Sequence, residues 1–404
     1  MQQELFIVRE PLLNTQERVL GYELAWQHVI NGGAAPTEAE ATELVHFVAA
    51  EMSDNDDVAP LNDHLVFLEV PVGLMTGNTV DFLPSKGVVL VVRGADLAMP
   101  GAIESLATVR AKGFGVCLRE ANLPGLDKAV LPHLSYVELP VTAGDFAAQL
   151  QAYKAFGMPA IKLIARQVST WQAYDLCASV GMFSFVGKLH LSPRSGQRVR
   201  DLNPAQTIIL QLMDMVRKNA DVKQLEGVLK RDAALSYKLL RFINSAGFGL
   251  GCEIQSLKHA VTMLGYSPLY RWLALLLATA TTTGYSPVLL QTAVIRGRFA
   301  ELIGQGFLPK NEAENLFVAG MFSLLDKLLG VPMEDILEKI QLSEPVTQAL
   351  LSREGIYGPF LALAEASELN NKELERMASS LCISGSRIND CHLSALAWAQ
   401  NIEL

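Results

Sequence analysis

Residues Gly87–Leu118, GVVLVVRGADLAMPGAIESLATVRAKGFGVCL, set the reading of the first half of the chain. A β-rich apolar run, GVVLVV, is followed by a segment with helical spacing from Gly101 to Lys112 and then by a second β-rich run, FGVCL. A strand, a helix and another strand in succession predict a parallel pair with its crossover helix laid on one face. The same rhythm extends in both directions. Upstream lie LFIVRE, GYELAW and HLVFLEV; downstream lie SYVEL, AIKLIA and FSFVGKLHL, which makes eight candidate strands between Glu4 and Pro193. Helical spacing recurs at Thr37 to Met52, Asp145 to Phe156 and Thr170 to Ser179. Eight strands in so short a stretch fit a closed (β/α)8 barrel, with a doubly wound open sheet as the alternative.

In such a barrel, chemistry belongs at the C-terminal ends of the strands. Those ends carry Glu23, Glu69, Val92 to Arg93, Arg119 to Glu120, Glu138, Arg166 and Val186. The set mixes both charge signs and is read as lacking a convergent group of Asp, Asn and Glu ligands. Arg119 and Arg166 aimed at one mouth would oppose a hard cation.

The chain has 404 residues, which predicts two domains of about 200 residues each. Half of the residues are hydrophobic and 19% are charged, so both halves should bury cores. A formal net charge of -9 supplies no broad cationic face for a phosphate backbone, and nucleic acid is excluded as a first expectation. Cys117, Cys177, Cys252, Cys382 and Cys391 form no CxxC pair and read as reduced thiols, which fits a cytoplasmic protein. No HxxxH or HExxH spacing exists among the histidines, and no cofactor is implied. The most apolar window, Leu269 to Ala280, is interrupted by Arg271 and is too short for the roughly 20 residues that span a bilayer, so it is expected to be a buried helix.

These strands, in this order, resemble the EAL domain, a barrel that hydrolyses cyclic di-GMP with two bound metal ions. The opening FIVREPLLNTQERVLGYELAWQ is similar to the start of EAL domains fused to an HDOD domain. Carried over position by position, the resemblance keeps the signature Glu as Glu23 but puts Gln27 where a phosphate-holding arginine belongs. The metal-binding Asn falls at Glu69, and the next strand's Glu falls at Val91 or Arg93. The paired aspartates of LDDF become Arg119 and Glu120, and the lysine and aspartate of KID become Glu138 and Pro140. The AE..E motif reads ARQVST, with Arg166 and Ser169 in place of acids. QGY reads VGK, so Val186 departs from the pattern and Gly187 keeps it. The resemblance therefore implies that the two-metal site has been lost, leaving Glu23, Gln27, Glu69, Arg119, Glu120, Glu138, Arg166 and Val186 as vestigial positions.

After SPRSGQRVRDLNP, a polar, proline-bearing boundary, strand-like runs largely give way to helical periodicity. Domains are expected at 1–197 and 198–404. Asp221 and Asp232 stand at helix N-cap positions. The glycines 247, 249 and 251 and Ser245 read as a turn between helices. LEGVLKRDAALSYKLLRFINSAGFG and IQSLKHAVTMLGYSPLYRWLALLL resemble the HDOD domain, a helical relative of HD phosphohydrolases, with Ser323 and Leu324 where an HD enzyme has its His-Asp pair.

The expected function is a non-catalytic bacterial signal-transduction or scaffold protein that acts through a protein partner, with no enzymatic activity, no metal and doubtful cyclic di-GMP binding. A homodimer is left open. The alternatives are a cyclic di-GMP sensor without hydrolysis and an unconventional phosphodiesterase using acids near Glu23, including Glu69 and Glu120.

Overall fold

The computed structural model describes residues 4–32, 34–53, 64–191, 203–244, 254–280, 287–340, 342–369, 371–400 and 402. The chain divides into two compact units, Met1–Ser192 and Pro193–Leu404. The segment SPRSGQRVRD, the turn with Ser245 and glycines 247, 249 and 251, and Cys252 lie outside the described residues.

The first unit is a closed barrel of eight strands in sequence order: β1 Ile7–Leu13, β2 Val19–Trp26, β3 Leu65–Glu69, β4 Val88–Arg93, β5 Gly115–Arg119, β6 Tyr136–Pro140, β7 Lys162–Arg166 and β8 Ser184–Val186. From β2 to β8 every pairing is parallel, whereas β1 runs antiparallel to both β2 and β8. The reversal follows from the short β1–β2 turn, where the Asn14 side-chain oxygen accepts N–H bonds from Gln16 at 2.8 Å and Arg18 at 2.9 Å. A turn this tight leaves no room for a crossover helix, so a hairpin forms.

Helices α1 Gln27–Gly32, α2 Glu38–Ser53, α3 Val72–Met75, α4 Ala102–Ala111, α5 Phe146–Phe156 and α6 Trp171–Ser179 accompany the strands. Their starts follow local chemistry: the Thr170 hydroxyl accepts the Ala173 N–H, and Thr37 and Glu40 exchange capping bonds before α2. Leu12, Phe67, Val89, Val91, Cys117, Tyr136, Ile164 and Val186 form one buried cluster. Strand side chains alternate with period two, so Glu69, Arg93, Arg119, Glu138 and Arg166, each two residues beyond a member of this cluster, continue the same face toward the strands' C-terminal ends. Because β1 runs the other way, Glu10, two residues before Leu12, reaches that same end.

The second unit contains α7 Pro204–Arg217, α8 Val222–Leu229, α9 Ala233–Ile243, α10 Leu257–Leu264, α11 Tyr266–Thr279, α12 Pro287–Gly304, α13 Lys310–Phe322, α14 Leu325–Leu329, α15 Met333–Lys339, α16 Glu344–Ser352, α17 Gly358–Leu369, α18 Leu374–Ser380 and α19 Gly385–Gln400. The apolar spacing of α7 buries Ile209, Leu212, Met213 and Val216 on one face. Asp221 and Asp232 act as caps, accepting from the N–H groups of Lys223 and Leu235. The apolar window is the buried α11, and its Arg271 pairs with the carboxylate of Glu301 on α12. Helix α12 packs against α13, α17 and α19. At its crossing with α13, a Cβ on Gly320 would lie 2.7 Å from the Gly297 Cα, so both glycines are required for the close approach. Among the described residues no helix is long and apolar enough to cross a membrane.

Candidate functional site

The mouth of the barrel is organised around Arg119. Its Nε donates to Glu138 Oε2 at 2.7 Å, Nη2 to Glu138 Oε1 at 3.1 Å and to Glu23 Oε1 at 2.7 Å, and Nη1 to Glu69 Oε2 at 2.9 Å. All four residues are buried, none more than 5% exposed. The guanidinium fork suits this task, since its five planar N–H donors can face several carboxylates at once. Arg166 adds a contact from Nη1 to Glu23 Oε2 and approaches Glu10 and Glu138 at 3.5 Å. Arg93 donates from Nε to Glu69 Oε1 at 2.5 Å and from Nη1 to Glu120 at 3.2 Å.

The electrostatics follow from burial against pairing. Burial alone would raise the Glu23 pKa, but the charges and hydrogen bonds of Arg119 and Arg166 outweigh it and hold it at about 2. Glu10 goes the other way: burial and the neighbouring charge of Glu23 raise its pKa, against the opposing pull of Arg166. Burial would lower the Arg119 pKa, but Glu138 and Glu23 more than offset it, so its charge is permanent. Deeper in the barrel, burial and then Glu138 raise the Cys117 thiol well above its ordinary range.

The structure thus brings Glu23, Glu69, Arg119, Glu138 and Arg166 together, and Glu120 joins at the rim through Arg93. Three buried glutamates do converge here, and they converge on a guanidinium. Gln27 begins α1, with its backbone N–H bonded to the Phe6 carbonyl. Val186 packs in the apolar cluster and pairs with Leu12 across β1 and β8. Sequence reading missed Glu10, whose signal was its place two residues before Leu12 on a strand that forms a hairpin.

Two-metal chemistry would need carboxylate oxygens available at metal–ligand distance. Here oxygens of Glu23, Glu69 and Glu138 accept from Arg119, and the remaining oxygens of Glu23 and Glu69 accept from Arg166 and Arg93. In this arrangement the residues do not fit a pair of cations, and among the described residues no three His, Cys, Asp or Glu side chains are grouped to hold a metal ion. A cavity of about 180 Å³ at the mouth is lined by Glu10, Glu69, Arg93, Arg119, Arg166 and Gly187. A neighbouring cavity of about 460 Å³ is lined by Glu120, Glu138, Pro140, Asp145, Phe146 and Gln149.

The second unit contains another buried arginine. Arg296 makes a bidentate pair with Glu368 at 3.0 and 2.7 Å and donates from Nη1 to Glu365 at 3.1 Å and to the Ser323 hydroxyl at 2.7 Å. Arg353 holds the other side of Glu365 with two bonds of 2.8 Å. Ser323 is thus tied into this charge network through its hydroxyl, and Leu324 is buried beside it.

The HDOD domain family matches residues 202–343. Uncharacterized protein YuxH of Bacillus subtilis (strain 168) is 24% identical over 421 aligned residues, covering 98% of both chains. Cyclic di-GMP phosphodiesterase CdgJ of Vibrio cholerae serotype O1 is 24% identical over 405 aligned residues, covering 98% of this chain and 93% of CdgJ. Among solved structures, the EAL domain of Mycobacterium smegmatis DcpA is 18% identical, covering 45% of this chain and 90% of its own, with a TM-score of 0.35. The expectation of a chain without enzymatic activity is corrected by these comparisons, because a relative aligned over nearly the whole length is a phosphodiesterase. Residues 202–343 thus carry an HDOD domain, behind a closed barrel of eight strands, and the alignment with CdgJ runs through both.

Proposed function

We propose that this chain is a cytoplasmic signal-transduction protein of the cyclic di-GMP circuit, with the EAL-type barrel at 1–197 and the HDOD unit at 198–404. Its output runs through contacts between the HDOD unit and a protein partner. The observation that carries this reading is the joining of an EAL-type barrel to an HDOD domain in one chain, whose alignment with a cyclic di-GMP phosphodiesterase runs through both. Resemblance carries the family's site to Glu23, Gln27, Glu69, Arg119, Glu120, Glu138, Arg166 and Val186; of these, Glu23, Glu69, Arg119, Glu138 and Arg166 meet at the mouth, with Glu120 joined through Arg93. The cavity there, about 180 Å³, is smaller than the roughly 300 Å³ at which small-molecule pockets usually begin. Binding of the dinucleotide inside that cavity would require its ion pairs to part, whereas the neighbouring cavity of about 460 Å³, lined by Glu120 and Glu138, lies above that threshold as it stands.

A second reading, supported by CdgJ, is phosphodiesterase activity at this mouth. It requires Arg119 to leave the carboxylates of Glu23, Glu69 and Glu138 so that they can serve the reaction. Calorimetric titration of the purified chain with cyclic di-GMP in magnesium or manganese, together with chromatography for the linear dinucleotide, separates the readings. Metal-dependent product establishes the phosphodiesterase. Saturable heat without product identifies a dinucleotide sensor, and neither heat nor product directs the search to the HDOD partner.

A further inference from the structure

We propose that Arg119 is the resident cation of the barrel mouth, so that its three central carboxylates are held together, with Arg93 and Arg166 completing their charge balance, independently of any divalent ion. The two-metal chemistry of the EAL fold places metal charge among acidic ligands at this end of the barrel. In this chain the residues do not accommodate that arrangement, and the disagreement has a positive content.

Glu23 on β2, Glu69 on β3 and Glu138 on β6 are buried carboxylates that would repel one another if nothing stood between them. Arg119 on β5 stands between them, with its side chain 6% exposed and bonds of 2.7 to 3.1 Å to all three. Its position is fixed by strand parity, since Cys117, two residues earlier, faces the same apolar cluster. A dissolved metal ion occupies its ligands only as its concentration allows. A guanidinium carried by the strand is present in every molecule, does not deprotonate, and resists exchange. The cation thus ties β2, β3, β5 and β6 together across the barrel interior. Arg166 and Arg93 add to the balance on Glu23 and Glu69, but neither contacts all three glutamates through hydrogen bonds. No dinucleotide takes part in these ion pairs, so manganese alone is the probe.

The test compares the full-length wild type with Glu69→Gln, Arg119→Ala and Arg119→Ala/Glu69→Gln by thermal unfolding in EDTA and in manganese chloride, with calorimetric titration of manganese into each. The wild type is expected to melt at the same temperature in both media and to give no mouth-dependent heat. Arg119→Ala is expected to melt several degrees lower in EDTA and to regain a large part of that loss in manganese, a gain that the added Glu69→Gln reduces. The proposal is overturned if EDTA lowers the wild-type melting temperature, if Glu69→Gln abolishes manganese binding that the wild type shows, or if folded Arg119→Ala is either as stable as the wild type or indifferent to manganese. Should Arg119→Ala not fold in either medium, the wild-type comparison and its Glu69→Gln control decide by the same criteria.

Discussion

Glu10 and Glu23 lie directly opposite each other in the antiparallel register of β1 and β2, two carboxylates on facing strands at the barrel mouth. They respond in opposite senses: Arg119 and Arg166 hold Glu23 ionised, and burial together with Glu23 raises the pKa of Glu10. Like charges facing across a strand pair are unfavourable. The raised pKa of Glu10 means that folding favours its protonated form, so its contribution is present at low pH and is lost as pH rises through the folded pKa. Glu10→Gln should therefore raise stability at neutral pH by a few tenths to about 1 kcal/mol, with the advantage disappearing in acid. Denaturant unfolding of wild type and variant at two pH values checks this.

Glu23 should dominate the acid limb. Its folded pKa of about 2 lies below the ordinary 4.5, so its stabilisation is complete above the unfolded value and is lost as pH falls from there toward 2. A shift of that size corresponds to roughly 3 kcal/mol. Glu23→Gln is expected to lose stability of about that order at neutral pH and to show a flatter loss between about pH 5 and pH 2. A pH series of urea unfolding curves for both proteins provides the comparison.

In the helical unit, Arg296→Met should destabilise by about 3–5 kcal/mol, because it leaves Glu368, paired with Arg296 through both carboxylate oxygens, buried without that partner. Adding Glu368→Gln should recover a measurable part of the loss. If the double variant is no more stable than the single one, the cost arises from packing instead. Denaturant unfolding followed by far-ultraviolet circular dichroism measures it.

Gly320→Ala tests the α12–α13 crossing. The new Cβ would meet the Gly297 Cα at 2.7 Å and the Arg296 carbonyl oxygen at 2.8 Å, both backbone atoms that cannot turn aside. A loss of about 1–3 kcal/mol or more is expected. An unchanged melting temperature would show that the helices can separate at this point without penalty.

The barrel was legible because its apolar runs recur eight times with stretches of helical spacing among them, and the helical unit because its periodicity changes after the boundary. Identities at the strand ends were legible as well. What could not be read was the third dimension at the mouth. That Arg119 would span Glu23, Glu69 and Glu138 depends on barrel closure bringing four strand ends into one ring, and local sequence does not encode such a meeting. Glu10 stayed hidden for a related reason: its strand reverses, so its mouth-facing residue precedes the core residue where the other strands place it after. Arg296 was silent because its partners Glu365 and Glu368 lie on α17, far along the chain.

Closure of the barrel by β1 has a kinetic consequence. Leu12 pairs with Val186, so the first strand completes its ladder only when the last one has been made. During synthesis β1 can pair with β2 early, but its other edge waits for nearly the whole unit to emerge, a long-range contact of the kind that slows folding. Until then Glu10, Glu23 and Arg166 remain hydrated, and their desolvation comes with the final seam, when attraction between the opposite charges can offset it.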